Sequence, residues 1–307
     1  MLTLLLAFAV SCAVTLLLIR SAHRHARFSA DHDLSGPQKF HAHSVPRVGG
    51  VGIFAALVAT AAALWWRYPE AAVGGMLLLA CGLPAFGAGL VEDLTKRVSP
   101  ARRLVATAVS AGLGVALMQA VITRTDLPGI DWIASFTIGA MLVTVFVVTG
   151  VANAVNIIDG FNGLSSMCVV MMLAAIGYVA FQVDDRMVLL WSVAAAGAVL
   201  GFFVWNFPAG LIFLGDGGAY FLGFVVAELA ILLLKHNPQV SPLFPLLVVV
   251  YPVFETLFSI YRRRFLRECS PGMPDGIHLH SLIYRRVMRW AAGERTARAL
   301  TRRNSMT

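Results

Sequence analysis

The chain has 307 residues, of which 58% are hydrophobic and only 13% charged, with a mean hydropathy of +0.77. That balance excludes an ordinary soluble domain and is the composition of an integral membrane protein. The formal net charge of +8 does not call for a nucleic-acid partner, because the placement of the basic residues follows membrane topology.

Runs of about 18 or more apolar residues, enough to cross about 30 Å of hydrocarbon, are read at about 1–19, 48–66, 71–91, 104–122, 132–152, 164–182, 187–205, 216–234 and 243–261. They predict an all-α, polytopic membrane protein of about nine transmembrane helices. No basic residue precedes the first run and no cleavage pattern follows it, so it reads as an anchor rather than a secretory signal peptide. With the N-terminus placed on the periplasmic side, all of the 24 Lys and Arg residues except Arg67, Arg124, Arg186 and Lys235 fall on the cytoplasmic side or at its helix ends. This positive-inside bias makes anionic lipid and anionic substrate the expected partners. Cys12, Cys81, Cys168 and Cys269 show no CxxC spacing and read as packing residues or inert thiols.

Counting helices places five polar clusters on that same cytoplasmic face. The first cytoplasmic loop holds Lys39, His41, His43 and Arg47. "GLVEDLTKRVSP", residues 89–100, carries Glu92 and Asp93 just past an apolar run. It is either an interfacial turn whose bases snorkel, or a holder of a divalent cation or a reacting phosphate. "NAVNIIDGFNGL", residues 153–164, spaces Asn153, Asn156 and Asp159 three apart. On a helix they form one polar face, which serves no packing purpose in lipid. "FLGDGG", residues 213–218, puts Asp216 and the backbone N–H groups of Gly217 and Gly218 at a helix start, where they are expected to be free for a phosphate or a metal-phosphate pair. "DGIHLHSLIYRR", residues 275–286, sets His278 and His280 beside Arg285 and Arg286. A zinc pair there lacks further ligands nearby, and a cationic phosphate clamp suits the arginines better.

The order HxxxPRVGG, acidic pair, NxxNxxDGxxGL, FLGDGG and His-x-His resembles the bacterial polyprenyl-phosphate N-acetylhexosamine-1-phosphate transferase family, from about residue 39 to about residue 286. That family includes the phospho-N-acetylmuramoyl-pentapeptide transferase of peptidoglycan synthesis and the undecaprenyl-phosphate N-acetylglucosamine-1-phosphate transferases. The resemblance implies a multi-pass enzyme of the bacterial inner membrane with active-site loops and C-terminus in the cytoplasm. It would move N-acetylhexosamine 1-phosphate from a UDP-sugar to undecaprenyl phosphate, release UMP and use Mg²⁺ or Mn²⁺. A homodimer is compatible with it. Residues 1–270 would form the transmembrane catalytic domain, and residues 271–307 its histidine-motif loop and basic tail.

By position, Glu92 and Asp93 match the family's acidic pair, Asp159 its metal-binding Asp, Asp216 the Asp of its GDxG loop, and His278 and His280 its histidine motif. The implied catalytic set is Glu92, Asp93, Asp159, His278 and His280, with Asp159 and Asp216 as metal ligands. Lys39, His43, Arg47, Asn153, Asn156, Asn162, Gly217, Arg285 and Arg286 would contact substrate. Three positions depart from the usual pattern. Glu92 replaces an Asp and reaches one methylene further, Asn162 stands where many relatives have Asp, and Ser281 follows His280 where the peptidoglycan branch has another His. The last favours a surface-polysaccharide role, with peptidoglycan lipid I synthesis by the same chemistry as the alternative. Residues 282–307 are basic and too polar to span where relatives continue into another helix. They are expected to lie on anionic lipid with Ile283, Val287 and Trp290 inward, or to mark a truncation. Glu228 and Glu255, inside apolar runs, keep a secondary transporter open, although no repeated halves are visible. A CDP-alcohol phosphatidyltransferase would need a DGxxAR-type run that is missing. Glu255 is expected either to pair with Arg262 or Arg263 or to support the site.

Overall fold

The computed structural model describes residues 1–22, 45–266 and 278–283. All regular structure among them is helical: α1 (Leu2–Arg20), α2 (Gly49–Leu64), α3 (Pro69–Thr95), α4 (Pro100–Leu113), α5 (Pro128–Ala134), α6 (Thr137–Ile158), α7 (Leu164–Gln182), α8 (Arg186–Asn206), α9 (Gly215–His236), α10 (Leu243–Val248), α11 (Val250–Tyr261) and α12 (Leu279–Ile283). A π-helical turn, Gly114–Met118, continues α4, and another, Arg262–Leu266, continues α11.

Each of the nine expected apolar segments contains helix, but 132–152 is divided between α5 and α6 at residues 135–136, and 104–122 is helical only as far as Met118. Among the described residues seven helices are long and apolar enough to cross a membrane, with α4 and its π turn counted as one. The segment expected at 48–66 is α2, a helix of 16 residues. The segment expected at 243–261 is broken at Val249 into α10 and α11. Pro252 accounts for that break, since it lacks the N–H that would bond the Val248 carbonyl and its ring crowds that turn.

The bundle is organised around α9. Of its most apolar stretch 94% is buried inside the protein, and it packs against α2, α3, α6, α7 and α8. A helix that is apolar on every side belongs where neighbours cover every side. On one flank α1 lies against α2 and α8, with the Trp205 indole N–H donating to the Cys12 carbonyl at 3.1 Å. On the other, α4 joins α3 to α6. Pro84 interrupts the α3 ladder, and Ser110 Oγ of α4 accepts the neighbouring Ala85 N–H at 3.0 Å. Fully buried Trp191 of α8 donates to the Ala71 carbonyl at 2.7 Å.

At the end of the bundle holding Asp185 and His236, Asp185 caps α8 through Val188 N–H (3.0 Å) and accepts His236 Nδ1 (2.9 Å) and Asn237 Nδ2 (3.0 Å). This ties the start of α8 to the end of α9. Asp93, Asp159 and Asp216 lie at the opposite ends of the bundle's helices, with Asp216 21 residues before Asn237.

Between the two ends sits Glu228 on α9, fully buried, with neither carboxylate oxygen hydrogen-bonded among the described residues. Gly114, where the π turn begins, leaves room for it, because a Cβ there would collide with the Glu228 carboxylate. A buried polar group without a partner costs about 1–3 kcal/mol. Glu228→Met keeps the volume and removes that cost, so thermal unfolding in lipid nanodiscs is expected at a higher temperature. A clear fall in melting temperature would mean that the carboxyl makes contacts worth more than its desolvation.

Candidate active site

The site begins with a backbone necessity. Gly215 has φ +77, a left-handed conformation that costs glycine little, and a Cβ there would lie 2.6 Å from Asp93 Oδ2. This turn starts α9 and aims its first N–H groups at α3. Asp93, only 1% exposed, receives them: Asp216 N–H donates to Oδ1 at 3.0 Å and Gly217 N–H to Oδ2 at 2.9 Å. The Gly217 N–H expected to be free for phosphate is therefore engaged by a carboxylate of the chain itself. The anion-binding character of a helix start is real, and here its occupant is Asp93. Gly89, one turn earlier on α3, permits the approach, since a Cβ there would lie 2.5 Å from Gly217 Cα.

Backbone pairing brings in Arg47. Phe213 N–H donates to the Pro46 carbonyl (2.8 Å), and Gly49 and Gly50 N–H donate to the Phe213 and Leu214 carbonyls (both 3.0 Å). The Arg47 guanidinium then lies 3.7 Å from Asp93 Oδ1 and 3.4 Å from Asp216 Oδ1. It also acts electrostatically on Asp159. Asp159 ends α6 as its C-terminal cap and is half-buried. Burial pushes its carboxyl up to about 7, against the pull of Arg47. No hydrogen bond to the Asp159 side chain is found among the described residues.

The three-residue spacing on α6 does form a face, and it meets α9. Asn156 Nδ2 donates to Asp216 Oδ1 at 3.1 Å, and Tyr220 Oη donates to Asn153 Oδ1 at 3.3 Å. Asn162 is buried and accepts from Asn206 Nδ2 at 3.4 Å. Asn206, at the end of α8, also donates to the Ile212 carbonyl (2.8 Å) and accepts Gly163 N–H (2.7 Å). It thereby fastens the loop after Asp159 to the loop before Asp216.

Arg103 was not anticipated as a site residue. From the first turns of α4 its guanidinium pairs with Asp216 Oδ2 and lies 5.8 Å over the Tyr220 ring. In the sequence Arg103 is one of four basic residues between 96 and 103, read there only as topology. Glu92 is half-buried and turned into its own loop, accepting Val98 N–H at 2.7 Å. His278 is buried, with Nδ1 2.9 Å from Glu255 Oε1. The backbone of His280 lies in α12, while its side chain falls outside the described residues, as do Lys39, His43, Arg285 and Arg286.

Asp159 has no side-chain hydrogen bond among the described residues, and Asp216, held by Arg47, Asn156 and Arg103, could present oxygen to a ligand by exchanging one of them. That donor set fits Mg²⁺, which takes one or two protein carboxylates and completes its shell with phosphate oxygens and water. No group of three or more His, Cys, Asp or Glu placed to hold a metal by themselves is found among the described residues.

Comparison with known proteins bears on the same region. The glycosyl transferase family 4 sequence profile matches residues 75–234. The chain is 29% identical, over 91% of its length and 77% of the relative's, to the probable undecaprenyl-phosphate N-acetylglucosaminyl 1-phosphate transferase of Bacillus subtilis strain 168. It is 30% identical, over 84% of its length and 81% of the relative's, to the phospho-N-acetylmuramoyl-pentapeptide-transferase of the same organism. The undecaprenyl-phosphate alpha-N-acetylglucosaminyl 1-phosphate transferase of Thermotoga maritima is 26% identical, over 84% of this chain and 74% of its own. With multi-pass helices framing a cluster of acids and arginines, and a profile match spanning α3 to α9, the chain belongs to glycosyl transferase family 4 and is a phosphotransferase enzyme of the membrane.

Proposed function

We propose that the chain transfers N-acetylhexosamine 1-phosphate from a UDP-sugar to undecaprenyl phosphate at the cytoplasmic face of the bacterial inner membrane, releasing UMP and initiating a surface polysaccharide. The observation that carries this reading is the gathering of Asp93, Asp159 and Asp216 from α3, α6 and α9 around Arg47, with Arg103 on the second oxygen of Asp216. Both substrates carry phosphate charge, so bringing them together is an electrostatic problem, and this cluster is built of the groups that solve it. The names of the relatives supply the substrate class, and the basic loops at the site end support the cytoplasmic orientation.

In the reaction, an oxygen of the lipid phosphate attacks the sugar-bearing phosphorus of the donor. The bond from that phosphorus to the bridging oxygen breaks, and UMP leaves with the oxygen. A phosphate monoester has a second pKa near 6, so the acceptor is largely dianionic and needs no strong base. Both Asp93 oxygens are engaged by backbone N–H groups, which favours direct displacement over a phosphorylated Asp93. Asp93 acts by holding the start of α9 in place. Arg47 and Arg103, now paired with Asp216, neutralise donor phosphate when it enters. Asp159 and Asp216 would hold a divalent cation, which supplies Lewis-acid neutralisation of the diphosphate when bound.

Purified protein in nanodiscs with undecaprenyl phosphate and Mg²⁺ is expected to release UMP from one or a few UDP-N-acetylhexosamines in a donor panel. UDP-N-acetylmuramoyl-pentapeptide belongs in that panel, because turnover of it alone would assign the peptidoglycan reaction instead. Asp159→Asn should lower kcat by roughly 10³-fold, on the scale of losing one electrostatic stabiliser, with unfolding still cooperative. Uptake of substrate into vesicles without UMP release would sink the transferase and favour a transporter.

Arg103→Gln removes a charge-assisted contact of about 1.5–3 kcal/mol, so the KM for the UDP-sugar should rise about 10–100-fold. An unchanged KM would remove Arg103 from the binding site.

In metal-free protein the raised Asp159 pKa has a testable sign. An acid whose folded pKa lies above its unfolded value stabilises the fold at low pH, and that contribution is lost as pH rises from about 4 through about 7. Melting in EDTA should therefore show the wild type losing stability relative to Asp159→Asn across this window. Parallel curves would contradict the assignment.

A further inference from the structure

The short helix carrying the histidine motif is tied to α11 by one carboxylate. Glu255 Oε1 lies 2.9 Å from His278 Nδ1 and accepts Leu279 N–H at 3.1 Å. The two side chains are buried, Glu255 at 3% and His278 at 4% exposure. Pro252, Glu255, Ser259 and Arg262 form the buried stripe of α11 and its continuation, while Phe254, Leu257 and Tyr261 face outward. Glu255 therefore faces inward because the amphipathic pattern of α11 requires it.

A helix of five residues cannot hold itself together, because nucleation costs more than so few hydrogen bonds return. Its orientation must be imposed from outside. Leu279 and Ile283, both exposed, border an open apolar groove of about 440 Å³ with Leu164, Cys168, Met172 and Tyr251. The groove sets α12 beside α7, whose first residue follows Asp159 by five. It does not fix the rotation of the imidazole, whereas a carboxylate on Nδ1 does. Glu255 also satisfies a first-turn N–H that has no partner within the helix.

We propose that Glu255 is the positioning residue of the histidine motif: its carboxylate holds the proton on His278 Nδ1, sets the ring orientation, and makes Nε2 the nitrogen through which His278 meets the transferring phosphate. This deepens the transferase reading and rests on it. Among the described residues, Tyr251 on the helix of Glu255 and Cys168 on α7 lie close by, and Arg262 follows on the same buried stripe. The arrangement works as an orienting acid does in other acid–histidine pairs, where losing the acid's charge misplaces the proton while the ring stays in place.

The test compares Glu255→Gln, His278→Gln and the double variant in nanodiscs. Gln keeps the size and an acceptor oxygen but removes the charge, so α12 stays anchored. Glu255→Gln is expected to lower kcat about 10–100-fold, the scale of a hydrogen bond to a charged group, with donor KM changed less than about threefold. The double variant should be no slower than His278→Gln alone, as expected for residues acting as one unit. Additive losses would overturn the proposal and leave Glu255 a packing residue. ¹⁵N spectra of His278 supply a readout without turnover. The neutral wild-type ring should carry its proton on Nδ1 with Nε2 bare, whereas Glu255→Gln should mix the two tautomers, and identical spectra overturn the proposal even if the enzyme is fully active. Absence of UMP release in wild type with every donor, alongside distinct spectra, would instead overturn the transferase reading.

Discussion

The site depends on one buried contact, the Asp93 carboxylate accepting the Asp216 and Gly217 N–H groups across the α3–α9 boundary. A helix start inside a membrane protein exposes donors that lipid cannot satisfy, and leaving them bare costs several kcal/mol. Asp93 satisfies two of them, one with each carboxyl oxygen. In the same act it fixes which way Asp216 projects. Gly215 makes the turn and Gly89 allows the approach, so the sequence around this contact is constrained on both helices.

Asp216 is then surrounded rather than exposed: Arg47, Arg103 and Asn156 reach it from three different segments. Such convergence stabilises an ionised carboxylate that burial alone would neutralise. It also leaves the arginines exchangeable, because phosphate oxygens offer them the same anionic acceptors as a carboxylate. Glu228 is the contrasting case on the same helix, an acid with no such company among the described residues and no connection to this cluster.

Much of this was legible in the sequence because it is periodic. Apolar runs gave the helices, and the spacing of Asn153, Asn156 and Asp159 gave the polar face that meets Tyr220 and Asp216. What periodicity cannot carry is pairing between elements. Arg103 meets Asp216 across 113 positions and Asn206 meets Gly163 across 43, and nothing local to either residue announces the partner. The same holds for the Gly217 N–H, since a helix start reads identically whether its anion is a ligand or a distant Asp. The break at Val249 had a local signal in Pro252, outweighed by the hydrophobicity around it.

Arg47 owes its location to main-chain pairing between residues 46–50 and 213–214, in which its own side chain takes no part. The scaffold would hold any residue at that position against Asp93 and Asp216. Substitution at 47 can thus alter the local electric field while the loops keep their course, which separates the evolution of reactivity from the evolution of architecture.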